Sequence, residues 1–187
     1  MNTTELAIEY VTAGWPVIPL APKSKSPPEG MRWRHDALCD ADGVRLWYST
    51  RPDDGVAIRA DRLIIVDIDN KGPEPDEIVA WLEDAHGLPP TRMQYSGGGG
   101  RHYFYAAPDG VPLRRRITWR VAWEHHYPID LLCGPGNYVV AEPSTHPATG
   151  NRYAWALDAD DGGPLPVAPA PAWLVDACRR PPAVGRE

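Results

Sequence analysis

Two aspartates, Asp67 and Asp69, end a run of residues that is apolar enough to form a buried strand. In a strand, residues i and i+2 point to the same face, so the two carboxylates project side by side. Ionised carboxylates are costly in such a place unless a cation pairs with them. Magnesium held by one or two carboxylates and by substrate phosphates would meet that need, and two such ions can clamp an in-line phosphoryl displacement. The alternative is a plain strand end, at which Asp69 caps the turn that follows.

A glycine run forms the second chemical feature, in the stretch Tyr-Ser-Gly-Gly-Gly-Gly-Arg-His. Consecutive glycines at 97–100 let backbone N–H groups approach a ligand closely, as they do in anion-binding loops. Arg101 and His102 follow at once, and both can donate hydrogen bonds to phosphate oxygens. The alternative is a flexible hairpin loop with an incidental histidine.

A third carboxylate, Asp130, lies between Ile129 and Leu131 in another apolar strand. A buried aspartate of this kind is often satisfied by backbone donors. Here it also supplies the third acid that a site with two metal ions needs.

The elements that position these residues follow from hydrophobic periodicity and turn signals. The pattern predicts helices at 3–14, 40–50, 75–87 and 170–180. It predicts strands at 15–20, 56–60, 62–69, 91–96, 101–107, 116–123, 127–132 and 137–143. Helices and strands are mixed, and the second half of the chain is rich in strands. This order favours an α+β domain over a regular parallel βαβ fold.

Length and composition limit the class of protein. A chain of 187 residues favours a single domain, which we place at 1–180, with a disordered tail at 181–187. The net charge of −6 argues against a general nucleic-acid coat but does not exclude a local basic groove. Three scattered cysteines without a CxxC pair support neither a disulfide framework nor a zinc site, and they favour a cytoplasmic setting. No run approaches 18 apolar residues, so we expect no membrane association.

Three smaller features leave two interpretations open. The arginines at 114–116 either follow a nucleic-acid backbone or form a solvated surface. Trp119 and Trp123 either stack on bases or pack in the core. His125 and His126 beside Glu124 either bind a metal or lie in a solvated loop.

The order of the three chemical features resembles the archaeo-eukaryotic primase superfamily. More narrowly, it resembles the bifunctional primase/polymerase (Prim-Pol) domain of plasmid and phage replication proteins. Flanking segments carry the same resemblance: the Lys-x-Pro loop at Lys25, the Tyr-Val-Val-x-x-Pro-Ser turn that ends at Ser144, and the Gly-x-x-Tyr-x-Trp stretch after it. The similarity runs from about residue 5 to residue 175.

The resemblance implies a fold and an activity. The fold would be the primase core, with an RRM-like mixed sheet that carries the acids and a smaller N-terminal α/β module. The activity would be DNA-directed nucleotidyl transfer to a 3′-hydroxyl, and the catalytic acids holding Mg²⁺ or Mn²⁺ would be Asp67, Asp69 and Asp130. His102 would contact the triphosphate. The remaining nucleotide-binding positions implied are Ser96, Gly97, Gly98, Arg101, Lys25 and Ser144.

The resemblance also implies partners. These are nucleoside triphosphates, a single-stranded or primed DNA template, and a separate helicase or replication initiator. One departure matters, because family members often carry an arginine at the position of Leu132. Two alternatives therefore stay open: a non-catalytic domain that binds nucleotide or docks on a replisome, and a metal-dependent phosphohydrolase or nuclease.

Overall fold

The computed structural model of the chain describes residues 2–113, the backbone of 116–118, and residues 125–179. The helices in these residues are α1 (Thr3–Thr12), α2 (Ala41–Thr50), α3 (Pro75–His86) and α4 (Ala172–Cys178). The strands are β1 (Val17–Leu20), β2 (Gly55–Ile68), β3 (Met93–Tyr95), β4 (Arg101–Ala106), β5 (Arg116–Thr118), β6 (Ile129–Val140), β7 (Ala154–Trp155) and β8 (Ala168–Pro169). Three features of the sequence analysis lie outside the described residues: the predicted tail at 181–187, the tryptophans Trp119 and Trp123, and the side chains of the arginines at 114–116.

The strands form one mixed sheet in the order β5-β6-β2-β4-β3-β7. Strand β1 pairs with the first half of β2, and β8 pairs with the end of β4. The pairing is antiparallel except between β4 and β8. The predicted α+β class is confirmed. Among the described residues, no helix is long and apolar enough to cross a membrane.

Strand β2 joins two segments that the sequence pattern divides, 56–60 and 62–69. Its pairing with β6 shifts register between Arg59 and Ile64, so the chain bends through an irregularity instead of turning back. The guanidinium of Arg59 binds the Asp61 carboxylate here, at 2.5 Å and 2.6 Å. The segments predicted at 127–132 and 137–143 join in the same way to form β6. The prediction of two separate strands was wrong in both cases, because polar and glycine residues occur at bulges within a strand as well as at turns between strands.

The sheet is covered by helices on both faces. Alternate residues of β2 divide between the two cores: Leu63 and Ile65 belong to one, and Ile64 and Val66 to the other. The first core contains α1, α2 and an aromatic cluster of Tyr10, Trp15, Phe104 and Trp155. The second core contains α3 and α4. Asp67 continues the alternation of Leu63 and Ile65, so it lies on the α1–α2 face.

Candidate active site

Four polar residues form a line across the sheet, which we call the polar row: Asp130, Asp67, His102 and Gln94. Asp67 on β2 is the register partner of Asp130 on β6 and of His102 on β4. His102 is in turn the partner of Gln94 on β3. Residues directly opposite each other in antiparallel strands share a face. The structure therefore brings two of the predicted acids and the predicted histidine together, although they are up to 63 residues apart in sequence (130 − 67 = 63).

The third acid, Asp69, lies one residue beyond β2 and on the same face as Asp67. Its backbone N–H donates to the carbonyl of Pro128 at 3.0 Å, which keeps the chain beside β6 after the strand ends. Its side chain is 46% exposed, whereas that of Asp67 is 24% exposed. The predicted triad thus includes one carboxylate open to solvent and one enclosed by the sheet.

Both ring nitrogens of His102 have a polar neighbour. Its Nδ1 lies 2.7 Å from Nε2 of Gln94, and its Nε2 lies 3.3 Å from Oδ1 of Asp67. The same nitrogen of the fully buried Gln94 donates to the carbonyl of Val140 at 2.7 Å. Because an amide nitrogen only donates, Nδ1 of His102 accepts, and the ring proton is on Nε2, toward Asp67.

Gln94 was not among the predicted site residues. The only signal in the sequence is a polar residue in the middle of the short strand 91–96. Its partner is fixed by the register between β3 and β4, which no local pattern encodes.

Lys71 brings a positive charge to the acids. Its Nζ lies 2.8 Å from Oδ2 of Asp69. The hydrogen bond and charge of Asp69 raise the pKa of Lys71, and the charges of Asp67 and Asp130 add to the effect. The ammonium therefore lies where the field of all three carboxylates favours a cation.

The donor set fits a hard divalent ion. Magnesium and manganese prefer carboxylate oxygens, and the Lys71 ammonium lies 2.8 Å from one of them, on Asp69. Within the described ranges, however, no three carboxylate, imidazole or thiol groups come close enough together to enclose a metal ion. The acids match a metal by their chemistry, and metal binding itself remains a proposal.

A cavity of about 380 Å³ opens beside the polar row. Its lining includes Asp67, Asp69 and His102, together with Lys25, Ser96 and three aromatic residues, Trp33, Tyr138 and Tyr153. Burial, with the charges of Asp67 and Asp69, raises the pKa of Tyr153 to about 12. Its hydroxyl thus stays protonated at neutral pH and can donate a hydrogen bond.

The glycine loop is packed against its neighbours. A Cβ atom on Gly100 would lie 2.4 Å from the carbonyl oxygen of Ile68, and one on Gly97 would lie 2.5 Å from the carbonyl oxygen of Asn151. The hydroxyl of Ser96 accepts from the Gly100 N–H at 2.9 Å. The hydroxyl of Thr149 donates to the Gly97 carbonyl at 2.7 Å. Glycine is needed at these positions because backbone atoms approach so closely.

His146 is a second residue that the sequence analysis missed. The residue lies against the glycine loop, because a Cβ on Gly97 would meet Cβ of His146 at 2.5 Å and a Cβ on Gly98 would meet its ring Nε2 at 3.3 Å. Nδ1 accepts from the N–H groups of Ala148 and Thr149 at 3.3 Å and 3.4 Å, which leaves the proton on Nε2. Burial, and then the charge of Lys25, lowers the pKa of His146. The ring is therefore a neutral donor at neutral pH.

Two predicted residues lie elsewhere. Arg101 alternates with His102 along β4, so its side chain is on the opposite face of the sheet, where it pairs with Asp76 of α3. Ser144 is buried, and its hydroxyl bonds to both the N–H and the carbonyl of Val56, at 2.7 Å and 2.9 Å. Neither residue lines the cavity beside the acids.

Leu132, at the position of the family arginine, is on the same face as Asp130 and lines the cavity. Its side chain is 6% exposed and belongs to the aromatic core. This part of the wall is therefore apolar.

An α+β sheet with paired acids and a histidine on one face is the arrangement that the sequence resemblance implies. The family model of the N-terminal domain of bifunctional DNA primase/polymerases, Prim-Pol, matches residues 7–173. The match covers most of the chain, and the chain therefore belongs to this family. No curated protein matches the sequence.

Proposed function

We propose that the chain is a DNA-directed nucleotidyltransferase that extends a 3′-hydroxyl on a template. Family membership supports an activity of the primase/polymerase type. The observation that carries the proposal is the register pairing of Asp67 with both Asp130 and His102. Asp67, Asp69 and His102 line one cavity, and Asp130 lies beside Asp67 without lining it. Carboxylates that bind metal and a donor that binds phosphate are the two components that this chemistry requires.

In the proposed reaction, the 3′-oxygen of the primer attacks the α-phosphorus of a nucleoside triphosphate. A new P–O bond forms, the bond to the leaving pyrophosphate breaks, and the hydroxyl proton passes to solvent. Asp67, Asp69 and Asp130 would hold Mg²⁺ or Mn²⁺, which when bound stabilises the charge that develops on the phosphate oxygens. The protein's own contribution is mainly positioning.

The remaining side chains orient the triphosphate in this proposal. On nucleotide binding, His102 would redirect its Nε2–H from Asp67, 3.3 Å away in the structure, to a phosphate oxygen, and Gln94 fixes the ring by its 2.7 Å hydrogen bond. Lys25 and Tyr153, which both line the cavity, supply a charge and a hydroxyl donor. The glycine loop lies beside Ser96 and forms one boundary of the phosphate site.

A second candidate is a non-catalytic domain that binds nucleotide. The apolar Leu132 favours it, because an arginine at this position would add a charge to the phosphate site. A metal-dependent phosphohydrolase would use the same acids on water, with no growing strand as product.

One experiment separates the three functions. A labelled primer annealed to a template is incubated with the purified chain at low salt, with Mg²⁺ or Mn²⁺ and with deoxy- or ribonucleotides. We expect extension that depends on metal and follows the template sequence. Nucleotide binding without extension would favour the non-catalytic domain, and release of inorganic phosphate without extension would favour the hydrolase.

A further inference from the structure

A basic, aromatic loop at 31–35 borders the candidate active site. Trp33 lines the cavity beside the acids and also a surface groove formed by the loop itself. The loop has the sequence Met-Arg-Trp-Arg-His, so it concentrates positive charge in a chain whose net charge is −6. The aromatic ring thus connects the cavity to a cationic surface.

The loop is held in place from two sides. The Trp33 ring packs edge-on against Tyr138, with ring centroids 4.9 Å apart and an interplanar angle of 78°. The carbonyl of Arg34 accepts a hydrogen bond from Nη1 of Arg59 at 2.9 Å, and the other guanidinium nitrogens of Arg59 are fixed by Asp61. Trp33 is therefore presented as a rigid wall, which lowers the entropic cost of stacking a base on it.

The two arginines of the loop differ in their partners. Arg32 pairs with Asp36 at 3.3 Å, so its charge is partly neutralised. The guanidinium of Arg34 lies 4.4 Å above the Trp33 ring, and no carboxylate of the described residues is within ion-pair distance of it. A guanidinium stacked on an indole keeps its N–H edges in the plane, free to bind a phosphate by two hydrogen bonds.

We propose that this loop binds the single-stranded template, with a base on Trp33 and a backbone phosphate on Arg34. The inference rests on the proposed function. In the proposed function the acids and His102 bind the phosphates of the incoming nucleotide. Trp33 and Tyr138 line the same cavity, so we place the base of that nucleotide against these two rings. The template base must pair there, and its own backbone then lies beyond the wall, on the Arg34 side. Aromatic stacking plus a cationic track is the usual way that proteins hold single strands.

The chain contains a matched control for the Arg34–Trp33 pair. Arg51 lies 4.6 Å above the Trp47 ring and is likewise exposed, but neither residue lines the cavity beside the acids. Arg34→Gln and Arg51→Gln remove the same charge from the same type of stack. Trp33→Ala and Trp33→Phe separate the loss of the ring from a change in its size.

The test is fluorescence anisotropy of a short labelled single-stranded DNA, titrated without nucleotide over a range of salt concentrations. We expect Arg34→Gln to weaken DNA binding. The negative slope of log affinity against log salt should become shallower by about 0.7, the value for one phosphate contact on a single strand. Trp33→Ala should weaken binding at least about fivefold, the low end of the range for one stacked base, and Trp33→Phe should restore most of it. Arg51→Gln should bind like the unmodified chain.

The affinity for nucleoside triphosphate and the midpoint of thermal unfolding are measured separately. Both values should be the same in Arg34→Gln as in the unmodified chain. The proposal is overturned if Arg34→Gln binds DNA as tightly as Arg51→Gln does. It is also overturned if the unmodified chain does not bind the strand at low salt, or if Arg34→Gln loses nucleotide binding instead. Primer extension is a separate readout. If extension never occurs while DNA binding still depends on Arg34, the nucleotidyltransferase proposal fails and the template surface stands.

Discussion

At the residue scale, the hydrogen bond from Gln94 decides which nitrogen of His102 carries the proton. Gln94 donates both amide hydrogens, one to Nδ1 of His102 and one to the Val140 carbonyl. In the proposed function it would act on the nucleotide through the orientation of the His102 ring. A pair that works as one unit has non-additive mutational effects.

A double-mutant cycle tests this coupling. His102→Ala should weaken nucleotide binding about ten- to a hundredfold, since a hydrogen bond to a charged group contributes roughly 1.5–3 kcal/mol. Gln94→Met should weaken it in the same direction, and the double variant should be no worse than His102→Ala alone. Nucleotide titration in buffer with metal gives the three affinities. Gln94→Met should also lower the free energy of unfolding by about 1–3 kcal/mol, because the Val140 carbonyl loses its donor.

The neighbouring arginine provides the control for this cycle. Arg101→Gln should leave nucleotide affinity unchanged, because its side chain is on the opposite face and pairs with Asp76. Independent, additive effects of the Gln94 and His102 substitutions would disprove the coupling. A loss of affinity in Arg101→Gln would place that side chain at the nucleotide after all.

The predicted site residues that the structure brings together are those that carry a local signal in the sequence. The three aspartates interrupt apolar strands, and His102 follows a glycine run. Gln94, Lys71 and His146 carry no such signal, because their roles depend on strand register and loop packing. Arg101 follows the glycines as closely as His102 does, but the period of two in a strand sends it to the other face.

At the scale of elements, the acids depend on two long strands that pair through a bulge. The apolar run at 63–66 predicts the strand at 62–69, and the period of two in a strand places Asp67 and Asp69 on one face. It divides β2 at Arg59–Asp61 and β6 near Gly134, where the structure continues through irregular pairing. Polar residues can either end a strand or form a β-bulge within it. Which of the two occurs depends on the pairing with the partner strand, and the local sequence does not contain that information.

The glycine loop is an element whose position can be tested with two adjacent substitutions. Gly97→Ala would place Cβ 2.5 Å from both the Asn151 carbonyl oxygen and Cβ of His146, so the loop must move. Gly98→Ala meets side-chain atoms alone, the nearest of which is Nε2 of His146 at 3.3 Å. We expect Gly97→Ala to lower the free energy of unfolding by about 1–3 kcal/mol, as overpacking does, and to weaken nucleotide binding. Chemical denaturation and nucleotide titration measure both effects. Equal effects of the two substitutions would mean that the close packing of Gly97 does not position the loop.

At the scale of the whole molecule, the net charge of −6 limits how tightly the chain holds DNA. A net negative chain repels a phosphate backbone at long range, so binding would depend on a few local cations such as Arg34. Activity should therefore fall steeply as salt rises, because each phosphate contact contributes a slope of about −0.7 to −0.9 in log affinity against log salt. Processivity should be low for the same reason.

The central claim is that carboxylates on one face of this sheet form a nucleotidyl-transfer site. The most direct measurement is primer extension at low salt by Asp67→Asn, Asp69→Asn and Asp130→Asn, each compared with Asp109→Asn. Asp109 is an exposed carboxylate paired with Arg62, away from the acidic cavity, so its loss controls for a change of net charge. We predict that each of the three site variants folds but does not extend the primer, while Asp109→Asn extends it like the unmodified chain. Near-normal extension by any one of the three would contradict the account.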